Sequence, residues 1–354
     1  MHKEISISFS PRFDSSLYFF SHCSIILLKQ SIFLAFILNS EGGGSVGSFA
    51  LWFEPSGCVT EDFRADVHFN LWDLHIRKTQ PPCLDVGIKI FAPQGYSKMF
   101  FYVPWAIEKG DLCDLGQYLK TTEILCTVFN EDYTVSQDAQ SKVLHIEDAA
   151  KAPLFDIYCL DIENDVGLQH RYTGTLLSIS RPTQFERSST TEYYRFRIQT
   201  PRFNEMIKCY SPQNLFLQSA VSITEAVDFR FNDYRSLPSS LLEVMRAGKS
   251  YEIGKVHFLL ITESDVDLLY SSTSPTAREL EKETWKKYYN NLSNVNVVAY
   301  HWKFKSETKD KLIENCIMFV KTRVHKCNWK TIVLYLLVAG ALAVLFNYIS
   351  SLLF

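Results

Sequence analysis

The chain has 354 residues, of which 47% are hydrophobic, 14% aromatic and 21% charged, and its net charge is −3. This composition supplies enough apolar material for a folded core and excludes a chain that is disordered throughout. The small negative net charge excludes a generally basic nucleic-acid-binding protein, but not a local basic patch.

The first element is the apolar segment 17–38, "LYFFSHCSIILLKQSIFLAFIL". Three interpretations stay open. The segment is a membrane span weakened by Lys29 near its middle, where a lysine costs about 2.5–3.5 kcal/mol. Alternatively it is a signal peptide followed by a small-residue cleavage region, or an extension upstream of the folded protein. The Gly-rich "EGGGSVGS" that follows is a flexible break, so residues 1–45 are treated as a separate N-terminal segment.

Residues 46–235 are predicted to form a β-rich domain. Short runs rich in β-branched and aromatic residues alternate with Pro and Gly turn signals, which is typical of an antiparallel sandwich or barrel. One short helix is predicted at 111–120. The predicted strands are 48–54, 65–71, 84–91, 98–103, 123–129, 142–146, 154–160, 192–198 and 225–231.

The pattern changes near Ser236, and residues 236–328 are predicted to form a small α/β domain. A helix at its start places Leu237, Leu241 and Met245 on one face. Two further strand–helix pairs then follow, which is the order of a βαβα unit, and the last helix is basic and leads toward the C-terminal segment. The predicted elements are helix 236–250, strand 255–262, helix 274–292, strand 295–304 and helix 306–326.

Residues 329–354 are predicted to form a C-terminal transmembrane helix. No Asp, Glu, Lys or Arg occurs from 331 to 354, and about 20 helical residues suffice to cross a hydrocarbon core of roughly 30 Å. Trp329 and Tyr348 lie near opposite ends, where their rings favour the membrane interface. The small residues of 339–343 permit close helix contact, so self-association through this helix is also predicted. The alternative is a buried core helix.

The flanking charges predict the orientation of this helix. Four basic residues and no acidic residue lie between 317 and 330, namely Lys321, Arg323, Lys326 and Lys330. Positive residues are retained on the cytoplasmic side of a membrane, so the chain is predicted to be a tail-anchored, single-pass protein with its N-terminal bulk in the cytoplasm. The same four residues are predicted to lie at the membrane surface and attract anionic lipid headgroups.

The nine cysteines agree with a cytoplasmic domain. Their number is odd and no CxxC pair occurs, so neither a disulfide framework nor a zinc finger is indicated. Reduced, mostly buried thiols are expected.

One candidate ligand site lies in "EYYRFRIQTPR" (192–202). Strand alternation places Tyr193, Arg195 and Arg197 on an outer face, with Arg202 just beyond. Such a group can receive a phosphate or stack on a base, which predicts a phosphate-bearing or nucleotide ligand. The alternative is cross-strand pairing of these arginines with acidic neighbours.

One candidate metal site lies in "DVHFNLWDLHIR" (66–77). Asp66 and His68 share one face of a strand, and Asp73 and His75 follow on the polar side after the alternation slips. Two imidazoles and two carboxylates are able to ligate a metal ion if a bulge or turn brings them together. The alternative is a solvated sheet face.

No nucleotide-binding loop or familiar catalytic motif is supported. "AGKS" (247–250) lacks the required upstream glycine and follows a helix instead of a strand. Its glycine is better explained as the residue that ends that helix.

These features predict a membrane protein with a cytosolic ligand-sensing or protein-interaction domain. The layout resembles that of a bacterial stress or phage-defence effector, which rests on architecture and not on a motif. The alternative is a membrane-tethered, metal-assisted hydrolase that uses the 66–75 group.

Overall fold

The structure is a computed structural model, and it describes residues 47–57, 62–75, 81–137, 141–182, 191–210, 222–247, 253–289, 292, 295–306, 312–325 and 329–353. The N-terminal segment 1–45, including 17–38, lies outside these residues, as do Lys326 and the glycine of "AGKS".

Eighteen strands and five helices occur in the described part of the chain. The strands are β1 Ala50–Pro55, β2 Arg64–Trp72, β3 Cys83–Phe91, β4 Tyr96–Val103, β5 Leu112–Asp114, β6 Thr134–Ser136, β7 Val143–Glu147, β8 Pro153–Tyr158, β9 Val166–Arg171, β10 Gly174–Ser180, β11 Thr191–Gln199, β12 Ile207–Tyr210, β13 Ser222–Phe231, β14 Ile253–Glu263, β15 Asp267–Ser271, β16 Thr276–Glu279, β17 Val297–Lys305 and β18 Cys316–His325. The helices are α1 Thr122–Phe129, α2 Ile162–Asp165, α3 Ser239–Ala247, α4 Lys282–Tyr288 and α5 Trp329–Leu353.

The strands form three sheets. Sheet I has the order β1-β4-β10-β9, and sheet III has the order β12-β13-β18-β15. Sheet II contains ten strands in the order β16-β17-β14-β2-β3-β11-β8-β7-β6, with β5 also paired to β11. Sheet II is mixed, because β14 runs parallel to β2 and β8 runs parallel to β11. The β-rich character is therefore confirmed, whereas neither a sandwich nor a barrel is.

One hydrophobic core joins the three sheets. Phe229 of β13 stacks on Phe258 of β14 at 4.6 Å between ring centroids and lies 4.8 Å from Phe69 of β2. Phe49, just before β1, stacks on Phe229 at 5.7 Å. All four side chains are 0% exposed. Close contact among large rings buries much apolar area, and here it connects strands from both sides of residue 235.

The small α/β unit predicted for residues 236–328 is not confirmed. Strand β14 lies between β17 and β2 within sheet II, and β18 pairs with β13 in sheet III along ten residues. The elements after residue 235 thus complete sheets that begin before it. Helix α3 and strands β14 and β17 were predicted correctly; the helix predicted for 274–292 is instead the strand β16 followed by the shorter α4.

Two further predicted elements were wrong in type. The helix predicted for 306–326 contains β18, in which alternate residues Cys316, Met318 and Val320 are buried while Lys321 is exposed. This is the period of a strand. The strand predicted for 123–129 is α1, which ends at Asn130 in the left-handed conformation that caps helices. In addition, the helix predicted for 111–120 is β5 followed by a 3₁₀ turn, Gly116–Lys120.

The C-terminal helix α5 agrees with the predicted membrane segment. It has 25 residues, and its part from Ile332 to Leu353 is long and apolar enough to cross a membrane. None of this part is buried against the rest of the chain, which distinguishes it from a core helix. The basic helix predicted to lead into it is instead β18.

Candidate functional site

A cavity of about 330 Å³ lies on one face of sheet II, where α1 and α4 cover the strands. Pockets of this size accommodate small organic molecules. Its polar wall comes from neighbouring strands of the sheet, and its apolar wall comes largely from the helices and from β14 and β17. The polar wall includes His68, Asn70, Arg195, His257 and His301, and the apolar wall includes Val128, Phe129, Leu259, Leu280 and Trp285.

Three histidines form a row across the cavity wall. The strand register places His257 of β14 beside His68 of β2, and their rings are 4.7 Å apart. His257 also stacks on His301 of β17, with 2.9 Å between Nδ1 of the former and Nε2 of the latter. Because one of these two nitrogens must carry the shared proton, the pair is held in fixed tautomers.

The same row continues to Arg195 through a glycine. Gly87 of β3 pairs with His68 on one side and with Arg195 on the other. A Cβ atom at Gly87 would lie 2.3 Å from the Tyr193 hydroxyl and 3.2 Å from Nη1 of Arg195. Glycine is therefore required at this point of the strand, because the guanidinium and the phenol occupy the space above it.

Arg195 is buried at the base of the cavity. Its side chain is 2% exposed, and its Nε donates to the Tyr288 hydroxyl at 2.7 Å and its Nη1 to the Tyr193 hydroxyl at 2.9 Å. The Asn70 side-chain amide is oriented so that its nitrogen donates to the Phe69 carbonyl oxygen. Its own oxygen then accepts from Nη2 of Arg195 at 2.8 Å. These hydrogen bonds fix the plane of the guanidinium but do not neutralise its charge.

The nearest carboxylate is shared with a second arginine. Arg197 donates to both oxygens of Asp85, at 2.6 and 3.0 Å, whereas Arg195 Nη2 lies 3.9 Å from Asp85. Burial alone would raise the pKa of Asp85, but Arg197 and Arg195 lower it. Burial raises the pKa of Tyr288, so its phenol stays neutral. Two guanidiniums around one carboxylate leave a buried surplus of one positive charge.

The three histidines are neutral near pH 7. Burial, together with the neighbouring His257 and Arg195, lowers the pKa of His68 well below its usual value. Burial, His301 and nearby lysines lower the pKa of His257 to about 4. Burial and Lys303 lower the pKa of His301. An anion in the cavity would oppose these effects and favour the imidazolium forms.

A second polar cluster lies where sheet II meets sheet III. His75, just beyond β2, places Nε2 2.7 Å from Glu225 Oε2 of β13 and Nδ1 3.0 Å from Glu263 Oε2 at the end of β14. Asp73 lies beside them, with Oδ1 3.8 Å from His75 Nε2. Burial raises the pKa of Asp73 to about 7. Burial alone would lower the pKa of His75, but the hydrogen bonds that its ring donates to both glutamates raise it to about 10.

The four residues of the predicted metal site are divided among three places. Asp73 and His75 are brought together in this second cluster. His68 lines the cavity, and Asp66 pairs with Lys255 at 3.2 Å. Asp66 and Asp73 are separated by about 23 Å along an extended chain at roughly 3.3 Å per residue. Strand β2 pairs regularly with β3 through Trp72, so of the two predicted causes, a bulge or a turn, no bulge is present in this strand.

The predicted ligand residues share no exposed face. Tyr193, Arg195 and Arg197 are covered by the helices over sheet II, and only Arg195 of these lines the cavity. Arg197 makes the cross-strand carboxylate pair that was the alternative interpretation. Arg202 lies in a 3₁₀ turn, more than half exposed, and pairs with Glu205 at 2.9 Å.

Three of the four predicted membrane-surface residues lie in the described part of the chain. Lys321 and Arg323 are exposed on β18, and Lys330 lies in the first turn of α5. Lys326 is outside the described residues.

Comparison with known proteins yields no assignment. No protein-family model matches the sequence, and no curated protein matches it significantly. The functional inference therefore rests on the geometry above.

Sequence reasoning missed most of the cavity. His257, His301, Asn70 and Trp285 were not predicted to line a site. A signal was present, because three strands carry histidine before an aromatic residue: "VHF" at 67–69, "VHF" at 256–258 and "YHW" at 300–302. The aromatic residue faces the shared core in each case, so the histidines fall on the opposite face of one sheet.

Proposed function

We propose that this chain is a membrane-anchored ligand-binding protein whose β-rich domain binds a small phosphate-bearing molecule in the cavity of sheet II. The observation that carries the proposal is the guanidinium of Arg195 at the base of that cavity, because it shares its nearest carboxylate, Asp85, with Arg197. An isolated buried charge is costly, and such charges are normally paired. An anion in the cavity would supply the missing partner.

The histidine row favours phosphate over a plain carboxylate. His68, His257 and His301 are positioned to donate from several directions once protonated, and a phosphate offers several strong acceptor oxygens. The apolar wall, with Phe129 and Trp285, suits a small organic group attached to that phosphate. A mononucleotide or a phosphate ester of similar size fits this description.

Anion binding is expected to require the histidine row. For the full-length protein in detergent, we expect adenosine monophosphate or inorganic phosphate to bind with an affinity that falls at least about tenfold in His257→Gln, since a hydrogen bond to a charged group contributes about 1.5–3 kcal/mol. Isothermal titration calorimetry measures this. His170→Gln is the matched control, because His170 lies on β9, outside the cavity lining. Equal affinity in His257→Gln and wild type would contradict the proposal.

The same titration has an expected pH dependence. The free-state pKa of His257 is lowered to about 4, and a bound anion raises it, so binding takes up protons. Affinity for phosphate should therefore rise as the pH falls from 7 toward 5, and this rise should be smaller in His257→Gln.

The membrane part of the proposal rests on α5. This helix is long enough to span, and none of its apolar part from Ile332 to Leu353 is buried. Lys321 and Arg323 are exposed on the strand before it, and Lys330 lies in its first turn. Since basic residues favour the cytoplasmic side, we propose that the β-rich domain is cytoplasmic.

Removal of residues 329–354 is expected to release the protein from membranes into the soluble fraction, whereas removal of 1–45 should not. The double substitution Ala341→Arg and Ala343→Arg should also weaken insertion, since a central arginine costs about 2.5–3.5 kcal/mol. Membrane flotation followed by immunoblotting measures both.

For orientation, an epitope placed before Gly47 should be digested by protease in inverted vesicles; its protection would contradict the cytoplasmic placement.

The fold and the comparisons give no support to a role in bacterial stress response or phage defence, and we do not propose one.

A further inference from the structure

We propose that Asp73, His75 and Glu225 form a binding site for a divalent transition-metal ion such as Zn²⁺, with Glu263 as the residue that orients His75. This site is separate from the cavity of sheet II and does not depend on the function proposed for it.

The spacing of the donor atoms fits one ion. A donor atom from each of the three residues lies within 4.8 Å of the other two. Zinc binds nitrogen and carboxylate oxygen at about 2.0–2.2 Å, which places two ligands of a tetrahedral ion roughly 3.3 Å apart. His75 Nε2 is 2.7 Å from Glu225 Oε2 and 3.8 Å from Asp73 Oδ1, so small side-chain adjustments bring the three atoms to that separation.

Glu263 provides the outer support that metal-binding histidines need. A ligating imidazole usually donates its second N–H to a carboxylate, which fixes the tautomer and the ring orientation. His75 has this arrangement, with Nδ1 3.0 Å from Glu263 Oε2. Its backbone N–H donates to the other oxygen of Glu263 at 2.5 Å. The ring is thus held with Nε2 directed at Glu225.

The carboxylate of Asp73 gives a second indication of a cation site. Asp73 is 7% exposed, and its side chain makes no hydrogen bond to any described residue. The nearest cationic atom among those residues is His75 Nε2, at 3.8 Å. Because a buried carboxylate normally accepts hydrogen bonds or coordinates a metal, an ion between Asp73 and Glu225 would satisfy both.

The charge count points the same way. Three carboxylates surround one imidazole, and no lysine or arginine of the described chain forms an ion pair with Asp73, Glu225 or Glu263. The carboxylates repel one another, and one imidazole does not compensate three negative charges. A divalent ion removes this repulsion, and three protein ligands leave a fourth position for water.

The test uses the full-length chain in detergent, freed of metal with a chelator and titrated with Zn²⁺ against a competing chromophoric chelator. We expect one ion per chain. Asp73→Asn and Glu225→Gln, which keep the side-chain shapes, should each weaken binding about 100-fold, and Glu263→Gln about tenfold. Asp66→Asn on β2 is the matched control and should bind like wild type. Circular dichroism verifies that each variant is folded.

Two further readouts keep the test decisive. Substitution by Co²⁺ should give visible absorption bands in the wild type that are lost in Asp73→Asn. Zn²⁺ should raise the thermal unfolding midpoint of the wild type, since a ligand stabilises the state that binds it, but not that of Asp73→Asn. Either a folded wild type that binds no stoichiometric ion, or binding that survives both Asp73→Asn and Glu225→Gln, would overturn the proposal.

Discussion

Asp85→Ala is expected to lower the free energy of unfolding by about 3–5 kcal/mol, because removal of one partner from a buried ion pair leaves an uncompensated charge. Asp85 is 0% exposed. It accepts hydrogen bonds from Trp72 Nε1 at 2.9 Å and from the Tyr288 hydroxyl at 2.9 Å, besides those from Arg197. Alanine would leave both guanidiniums and the two further donors buried without this acceptor.

Urea denaturation of the full-length protein in detergent, followed by circular dichroism, measures this loss. Asp265→Ala is the control, because Asp265 lies exposed in the turn between β14 and β15, and surface substitutions usually change stability by less than about 0.5 kcal/mol. A loss below about 1 kcal/mol for Asp85→Ala would mean that solvent reaches the arginines. The loss of unfolding free energy in Asp85→Asn should lie between those of Asp85→Ala and Asp265→Ala, since the amide oxygen accepts hydrogen bonds but carries no charge.

Phe229→Ala is expected to cost about 3–5 kcal/mol and to destabilise both halves of the chain together. Phe229 contacts rings from β2 and β14 as well as Phe49, and all are fully buried. Truncation leaves a cavity in the core that joins the sheets. Hydrogen exchange followed by mass spectrometry measures the effect, and peptides from β4 and from β17 should lose protection to a similar extent.

The matched control is Tyr270→Ala on β15, because this residue is 55% exposed; the substitution should leave exchange in β4 unchanged. If Phe229→Ala weakened protection only before residue 235, the later residues would behave as an independent folding unit, contrary to the shared sheets.

Eight of the thirteen described strands in 46–235 were predicted, because their signals are local. Apolar and polar residues alternate in β2, β3 and β11, and prolines and glycines bound many of these runs. The errors came where local signals conflict. The run 123–129 is short and apolar, and periodicity alone does not separate a buried strand from a helix at that length. In β18, the apolar residues Ile317 and Phe319 lie between the buried positions. The sequence therefore does not show the alternation of apolar and polar residues that is typical of a strand.

The candidate sites depend on pairings that no local pattern records. Asp73 and His75 belong to the four-residue metal site predicted from the sequence and lie together in the structure, but Glu263 is 188 residues from His75 and Glu225 is 150 residues away. The arginines of β11 were expected to face solvent because each alternates with an apolar residue. The helices α1 and α4 cover that face. The sequence predicted a strand in place of α1 and a longer helix, 274–292, in place of α4. Arg195, which was expected at the surface, is therefore buried and lines the cavity.

The junction between β18 and α5 has a mechanical consequence. Strand β18 ends at His325 and α5 begins at Trp329, so the connection spans at most about 14 Å. Because β18 is hydrogen-bonded on both sides, to β13 and β15, tension along the anchor loads many bonds of one sheet at once. Glu225 pairs with Thr322 on this strand. With α5 in a bilayer, a force on this helix would therefore reach Glu225 of the Asp73–His75–Glu225 cluster through β18 and its partner strand β13.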